Sequence, residues 1–153
     1  MIPTEIRVFP LSRFKEPEAF GTKDKAFNFF CYELKLRENP PGRFNIRSNW
    51  FKFIEGSLIL FQYTERKDKE EIIAHAILIS NGYERSGDVE GYIGYYHLDL
   101  NSINFYNTPV KKDKIYKIWQ KKLCRSRLKL DVSKYDDYMK LLKSKNNMKS
   151  RCK

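Results

Sequence analysis

Period-two alternation opens the chain. In "TEIRVFPLS" Ile6 and Val8 fall on one side, which predicts a short first strand. "RFKEPEAFGTKDK" is polar and broken by Pro17 and Gly21, so it reads as loop with room for one helical turn. "AFNFFCYELKL" is apolar on both faces of a two-residue repeat and is assigned to a second strand, ended by Pro40, Pro41 and Gly42. "SLILFQY" is a near-continuous apolar run of the kind a central strand shows. The charged turn "ERKDKEE" returns the chain through "IIAHAILIS", so residues 57–63 and 72–80 should form a central antiparallel hairpin. "NGYERSGDVEG" reads as a flexible glycine-containing loop, and "YIGYYHLDL" and "SINFY" as one or two further strands.

The period then changes. Ile115, Ile118, Trp119 and Leu123 stand at helical spacing, with Asp113 near the start. Tyr135, Tyr138, Met139 and Leu142 repeat the pattern, and Ser133 or Asp131 can cap that second helix. "KSKNNMKSRCK" has no apolar repeat and reads as a basic, flexible tail over residues 143–153. These elements predict one α+β domain over residues 1–142. Its sheet should be strongly curved, or a small antiparallel or mixed barrel, with flanking helices that include two at the C-terminal end.

Composition narrows the partner. The chain of 153 residues carries 30 Lys+Arg against 19 Asp+Glu, a formal net charge of +11. A surplus of that sign suits a polyanion, because each neutralised phosphate releases counterions. Cys31, Cys124 and Cys152 are odd in number and far apart, with His75 and His97 isolated. That spacing offers no metal site and no disulfide framework, and free thiols fit a reducing, cytoplasmic compartment. "MIPTEIRVFP" lacks the regions of a signal peptide, and no apolar run is long enough for a membrane span. No cofactor is expected, and no membrane partner.

Candidate chemistry gathers around "RFNIRSNWFKFIEG", where amides, a guanidinium and an indole stand just ahead of the central strand. Asn45 and Asn49 can each present a donor and an acceptor to a base edge, and Arg47 can clamp a phosphate. Trp50, Tyr63, Tyr95 and Tyr96 can supply stacking faces. The competing structural role makes Trp50 and Phe53 a cap on the core and the asparagines helix caps. His75 and His97 lack a paired nucleophile or acid and read as hydrogen-bonded structural histidines. Lys121, Lys122, Arg125, Arg127 and Lys129 make the densest basic run, suited to tracking a phosphate backbone.

Those residues carry a resemblance. Asn45, Arg47, Asn49 and Trp50, then Gly56-Ser57 where the family has Gly-Asp, then the apolar strand, resemble the EVE and YTH domains of the PUA-like superfamily. "EIIAHAILIS" is similar to the family's return strand, with Ala74 at its small position, and "LNSINFYNTPVKKDKI" to its late strand and helix. The resemblance covers residues 43–120. It implies a PUA-like barrel and a non-enzymatic domain that binds DNA or RNA, in several members by accommodating a modified base flipped into a pocket. Two other classes compete. Glu65-Arg66-Lys67 matches the Glu-x-Lys that metal-dependent nucleases place on a core strand, although Asp24 is the nearest preceding aspartate. A basic module that docks an acidic protein is the third.

Overall fold

The computed structural model describes residues 2–47, 53–83 and 91–152. Its seven strands among these residues are β1 (Ile6–Pro10), β2 (Arg43–Ile46), β3 (Leu58–Thr64), β4 (Glu70–Tyr83), β5 (Gly94–Leu98), β6 (Asn104–Lys111) and β7 (Leu128–Leu130). They form one mixed, open sheet in the order β2-β5-β4-β3-β1-β7, with β6 paired to β4. The fold is therefore α+β. No helix among the described residues is long and apolar enough to cross a membrane.

The hairpin expectation holds. β3 pairs antiparallel with β4 from Leu58↔Ile77 to Thr64↔Glu70, and on its other edge lies parallel to β1 from Ile6↔Leu58. The apolar run of β3 is continuous because both its faces are covered. Ile59, Phe61 and Tyr63 enter one hydrophobic cluster, and Leu58 and Leu60 enter a second. β4 exceeds an average strand in length and changes partner along its course. Residues from Glu71 to His75 pair with β6, and those from Leu78 to Tyr83 pair with β5. Part of the expected 81–91 loop, Asn81–Tyr83, thus continues β4; residues 84–90 lie outside the described residues.

One predicted strand is a helix. The segment read as a second strand forms α2 (Lys23–Asn28), a π-helical turn over Phe29–Glu33 and α3 (Leu34–Leu36), after a single turn α1 (Pro17–Phe20). Ala26, Phe29, Phe30 and Leu34 are buried together at i, i+3, i+4 and i+8, the helical repeat. Thr22 starts α2 by accepting a hydrogen bond from the Lys25 amide (3.1 Å). Two apolar faces fit a strand and a buried helix alike; the cap upstream decides.

The C-terminal helices are α4 (Lys112–Trp119) and α5 (Tyr135–Ser144). Ile115, Trp119, Tyr138 and Leu142 pack with Ile6, Val8, Leu58 and Leu60 in the second cluster. α4 stops at Gln120, whose φ of 55° is left-handed, so Leu123 is buried from beyond the helix. Asp131, not Ser133, is the capping side chain, accepting from the Ser133 amide at the 3₁₀ turn ahead of α5 (2.9 Å).

The segment expected to be a flexible tail is anchored. Asn147 is fully buried, and its amide donates to the Thr108 carbonyl (2.6 Å) while accepting from the Thr108 amide (2.9 Å). The Arg151 amide donates to the Phe105 carbonyl (2.9 Å), and Cys152 is disulfide-bonded to Cys31. The expectation of three free thiols is corrected to one, the exposed Cys124. Backbone pairing, the side chains of Asn104, Asn107, Asn147 and Ser150 and one covalent bond hold this segment, and none of them leaves an apolar period in sequence.

His75 has the structural role expected of it. Its Nδ1 is 2.7 Å from the Tyr106 hydroxyl, itself 2.8 Å from the Tyr138 hydroxyl. Burial pushes the imidazole pKa down to about 4 and both phenols up. The unfolded chain binds the proton near pH 6.5 and the folded one does not, so stability should fall as pH drops from 6.5 toward 4. The full shift corresponds to about 3 kcal/mol, an upper bound because part of the residue reaches solvent. Urea unfolding of His75→Gln across that range should show a flatter pH dependence than wild type.

Candidate functional site

The loop leaving β1 builds one wall of a cleft. The Leu11 amide donates to the Gln62 carbonyl (2.8 Å), carrying the β1–β3 pairing one residue past Pro10. The chain then turns, with Ser12 accepting from the Lys15 amide at its hydroxyl (3.0 Å) and from the Glu16 amide at its carbonyl (3.1 Å). This turn projects Arg13, Phe14 and Lys15. The opposite walls come from β2, the end of β3 with residues 64–67, Tyr92 and the segment carrying Arg125 and Arg127. The enclosed volume is about 650 Å³, in the range of small-molecule and nucleotide sites.

Aromatic rings make the floor and guanidinium groups the walls. Phe9, Phe20, Phe29 and Phe44 line the cleft and belong to the first hydrophobic cluster. Eight lining side chains are Arg or Lys, against two carboxylates, Glu16 and Glu65. Several cations lie over rings: Arg47 is 4.4 Å from the Tyr92 centroid, Arg127 is 4.7 Å from Phe9 and Arg37 is 5.1 Å from Phe29. Stacking of this kind holds the planar guanidinium groups against the rings, and Arg37 also donates to the Arg43 carbonyl (3.1 Å). Burial lowers the pKa of Arg37 and of Arg127, the neighbouring Arg43 charge adding to the effect at Arg37. Burial lowers Arg47 too, but the Glu16 carboxylate, through its 2.9 Å hydrogen bond and its charge, and Tyr92 together outweigh it, so the Arg47 pKa is raised. Glu16 also accepts from the Tyr92 hydroxyl (2.6 Å). Arg13 is fixed by donating to the carbonyls of Glu65 and Gly21.

Of the residues singled out for a base pocket, Asn45 and Arg47 line this cleft, and Asn49 and Trp50 lie outside the described residues. The tyrosines stand elsewhere. Tyr96 is fully buried, its ring stacked 5.0 Å from Phe53 and edge-on to Phe9, so it is core and offers no face to a ligand. Tyr95 points to the opposite face of β5, as strand alternation requires, and its ring lies against Gly82. Tyr63 is buried beneath Arg13 and Lys23. Of the basic run, Arg125 and Arg127 line the cleft. Lys121 and Lys122 are exposed outside it, and Lys129 pairs with Glu5 (3.1 Å).

Sequence reasoning missed the loop from Arg13 to Glu16, along with Arg37 and Gln62. "SRFKE" did carry a signal, an aromatic between two cations in a polar loop, and Phe14 is 89% exposed at the cleft. Gln62 had none, since a lone glutamine in an apolar strand looks like an outward-facing position. Among the described residues no three His, Cys, Asp or Glu side chains come together as a metal site. Comparison of the chain with protein-family models, with curated proteins and with solved structures finds no match.

Proposed function

We propose that this protein is a nucleic-acid-binding domain of the PUA-like, EVE/YTH type, acting in the cytoplasm, which holds a strand across the cleft and takes a base, modified in its natural target, into it. The observation that supports the reading is the cleft's composition, eight cationic side chains to two carboxylates over an aromatic floor. Cations supply sequence-independent attraction to phosphate, and the exposed Phe14, above the buried floor rings, is the face open to an unstacked base. β4 changes partner along its length and has a register irregularity in its ladder with each of β5 and β6, features that favour a strongly twisted sheet.

Fluorescence anisotropy with single-stranded DNA and RNA over a salt series tests it. Arg125→Ala with Arg127→Ala should weaken binding about equally across sequences and reduce the salt slope by roughly one per lost phosphate contact. A changed sequence preference with an unchanged slope would contradict the phosphate role. Efficient competition by an acidic protein would favour the protein-docking class instead.

One observation favours a second reading: Glu65, Arg66 and Lys67 line the same cleft, as a nuclease Glu-x-Lys would. Its weakness is the second carboxylate, because Glu16 already accepts from Arg47 and Tyr92. Magnesium-dependent cleavage of a labelled oligonucleotide, lost in Glu65→Gln, would establish that class.

A further inference from the structure

The C-terminal segment is fixed in two unequal parts, and Asn147 marks the boundary. Asn147 is fully buried. Its backbone amide donates to the Leu142 carbonyl (2.8 Å), its carbonyl accepts from the Asn104 side chain (2.7 Å), and its own side chain bonds both backbone groups of Thr108. Residues 148–152 are held more lightly. The Arg151 amide donates to the Phe105 carbonyl (2.9 Å) and the Phe105 amide to the Ser150 hydroxyl (3.0 Å), with a longer contact from the Asn107 side chain to the Lys149 carbonyl (3.3 Å). The Arg151 guanidinium lies over the rings of Phe27 (4.5 Å) and Phe105 (5.5 Å), and the Cys31–Cys152 bond closes the end.

Cutting that bond changes the balance on one side of Asn147 only. Ordering the backbone of residues 148–152 opposes a few hydrogen bonds and cation–π contacts, each worth little in water, and the ordering entropy is the larger. Asn147 keeps all its own bonds, so the opening stops there. It uncovers the edge of β6 that faces away from β4, where Phe105 directs both its N–H and its C=O at the segment, and it strips the guanidinium from the Phe27–Phe105 ring pair. The two sulfurs are unequally accessible. Cys31 is 4% exposed inside the first cluster, whereas Cys152 is half-buried at its margin.

We propose that the Cys31–Cys152 bond is a redox latch: a dithiol reductant opens it, residues 148–152 leave β6, and the domain up to Asn147 stays folded. A thiolate of the reductant attacks the Cys152 Sγ, the S–S bond breaks, and the Cys31 sulfur leaves as a thiolate that takes up a proton. The reductant's second thiolate then attacks its own sulfur in the mixed disulfide and releases Cys152. Two electrons and two protons pass from the dithiol, which becomes a disulfide, to the two cysteines, and the reverse exchange closes the latch. The edge of β6 beside Phe27 is thus covered in the oxidised protein and open in the reduced one, whatever the cleft binds. Disulfides in a reducing compartment, such as the cytoplasm proposed above, are usually of this transient, sensing kind.

The test uses the full chain in native buffer with dithiothreitol as the dithiol, read by thiol counting, a melting curve and amide hydrogen exchange. The oxidised protein should show one free thiol and the reduced protein three. On reduction the Arg151 amide should lose its protection and exchange like a frayed terminus, while the Thr108 amide, bonded to Asn147 Oδ1, remains protected. Cys152→Ser should match the reduced protein without any reductant. Cys124→Ser, which leaves the latch bond intact, should respond to dithiothreitol as wild type does. Failure of dithiothreitol to raise the thiol count in native buffer would overturn the proposal. So would an Arg151 amide that stays protected in the reduced protein and in Cys152→Ser, since the hydrogen bonds alone would then hold the segment. Complete loss of protection at Thr108 together with Arg151 would overturn it from the other side, because the bond would then hold the whole fold and gate nothing.

Discussion

Reduction of the Cys31–Cys152 bond is expected to lower the free energy of unfolding by about 5 kcal/mol, the chain-entropy value for a closed loop spanning 121 residues of sequence separation. The physical reason lies in the unfolded chain, which the bond prevents from separating its N-terminal third from its last residues. In the native state the two cysteines tie the π-helical turn of the first cluster to the C-terminal segment hydrogen-bonded to β6. Urea titrations with and without reductant, and of Cys152→Ser, should show the same fall in midpoint. Little change in either would mean that Asn147 and the backbone bonds to β6 hold the chain end by themselves. Alkylating free thiols in intact cells and counting them bears on location. Three free thiols fit the cytoplasmic placement; one argues for an oxidising compartment.

Tyr96→Ala should cost 3–5 kcal/mol, as large-to-small changes in aromatic core positions do, with no selective loss of ligand affinity in the protein that stays folded. Tyr96 lies between Phe9, Phe44 and Phe53 with no exposed surface, so its removal opens a cavity in the first cluster. Tyr96→Phe should be far milder. Melting temperature and oligonucleotide affinity measured on the same two variants separate the roles. A stable Tyr96→Ala that binds a base-bearing probe poorly would restore the tyrosine to a pocket.

The segments whose signals are local were legible in the sequence. The β3–β4 hairpin follows from an apolar run, a charged turn and a second run, and α4 and α5 from a 3.6-residue repeat with acidic starts. Net charge pointed to a polyanion, and Arg125 and Arg127 were picked out by density alone. The tertiary structure decided what depends on partners distant in sequence. Whether "AFNFFCYELKL" is strand or helix rests on a stretch apolar all round, and Thr22 together with the surface offered by Phe44 and Phe61 makes it helical. Strand alternation placed Tyr95 and Tyr96 on opposite faces, but only the sheet's packing revealed that the inward face meets Phe9 and Phe53 and not a ligand. The cleft draws on residues from Phe9 to Arg127, so no window of sequence contains it. Gln62 is the clearest instance: its type is unremarkable in β3, and only the register slip and the carbonyl of Cys124 fix how its buried amide sits.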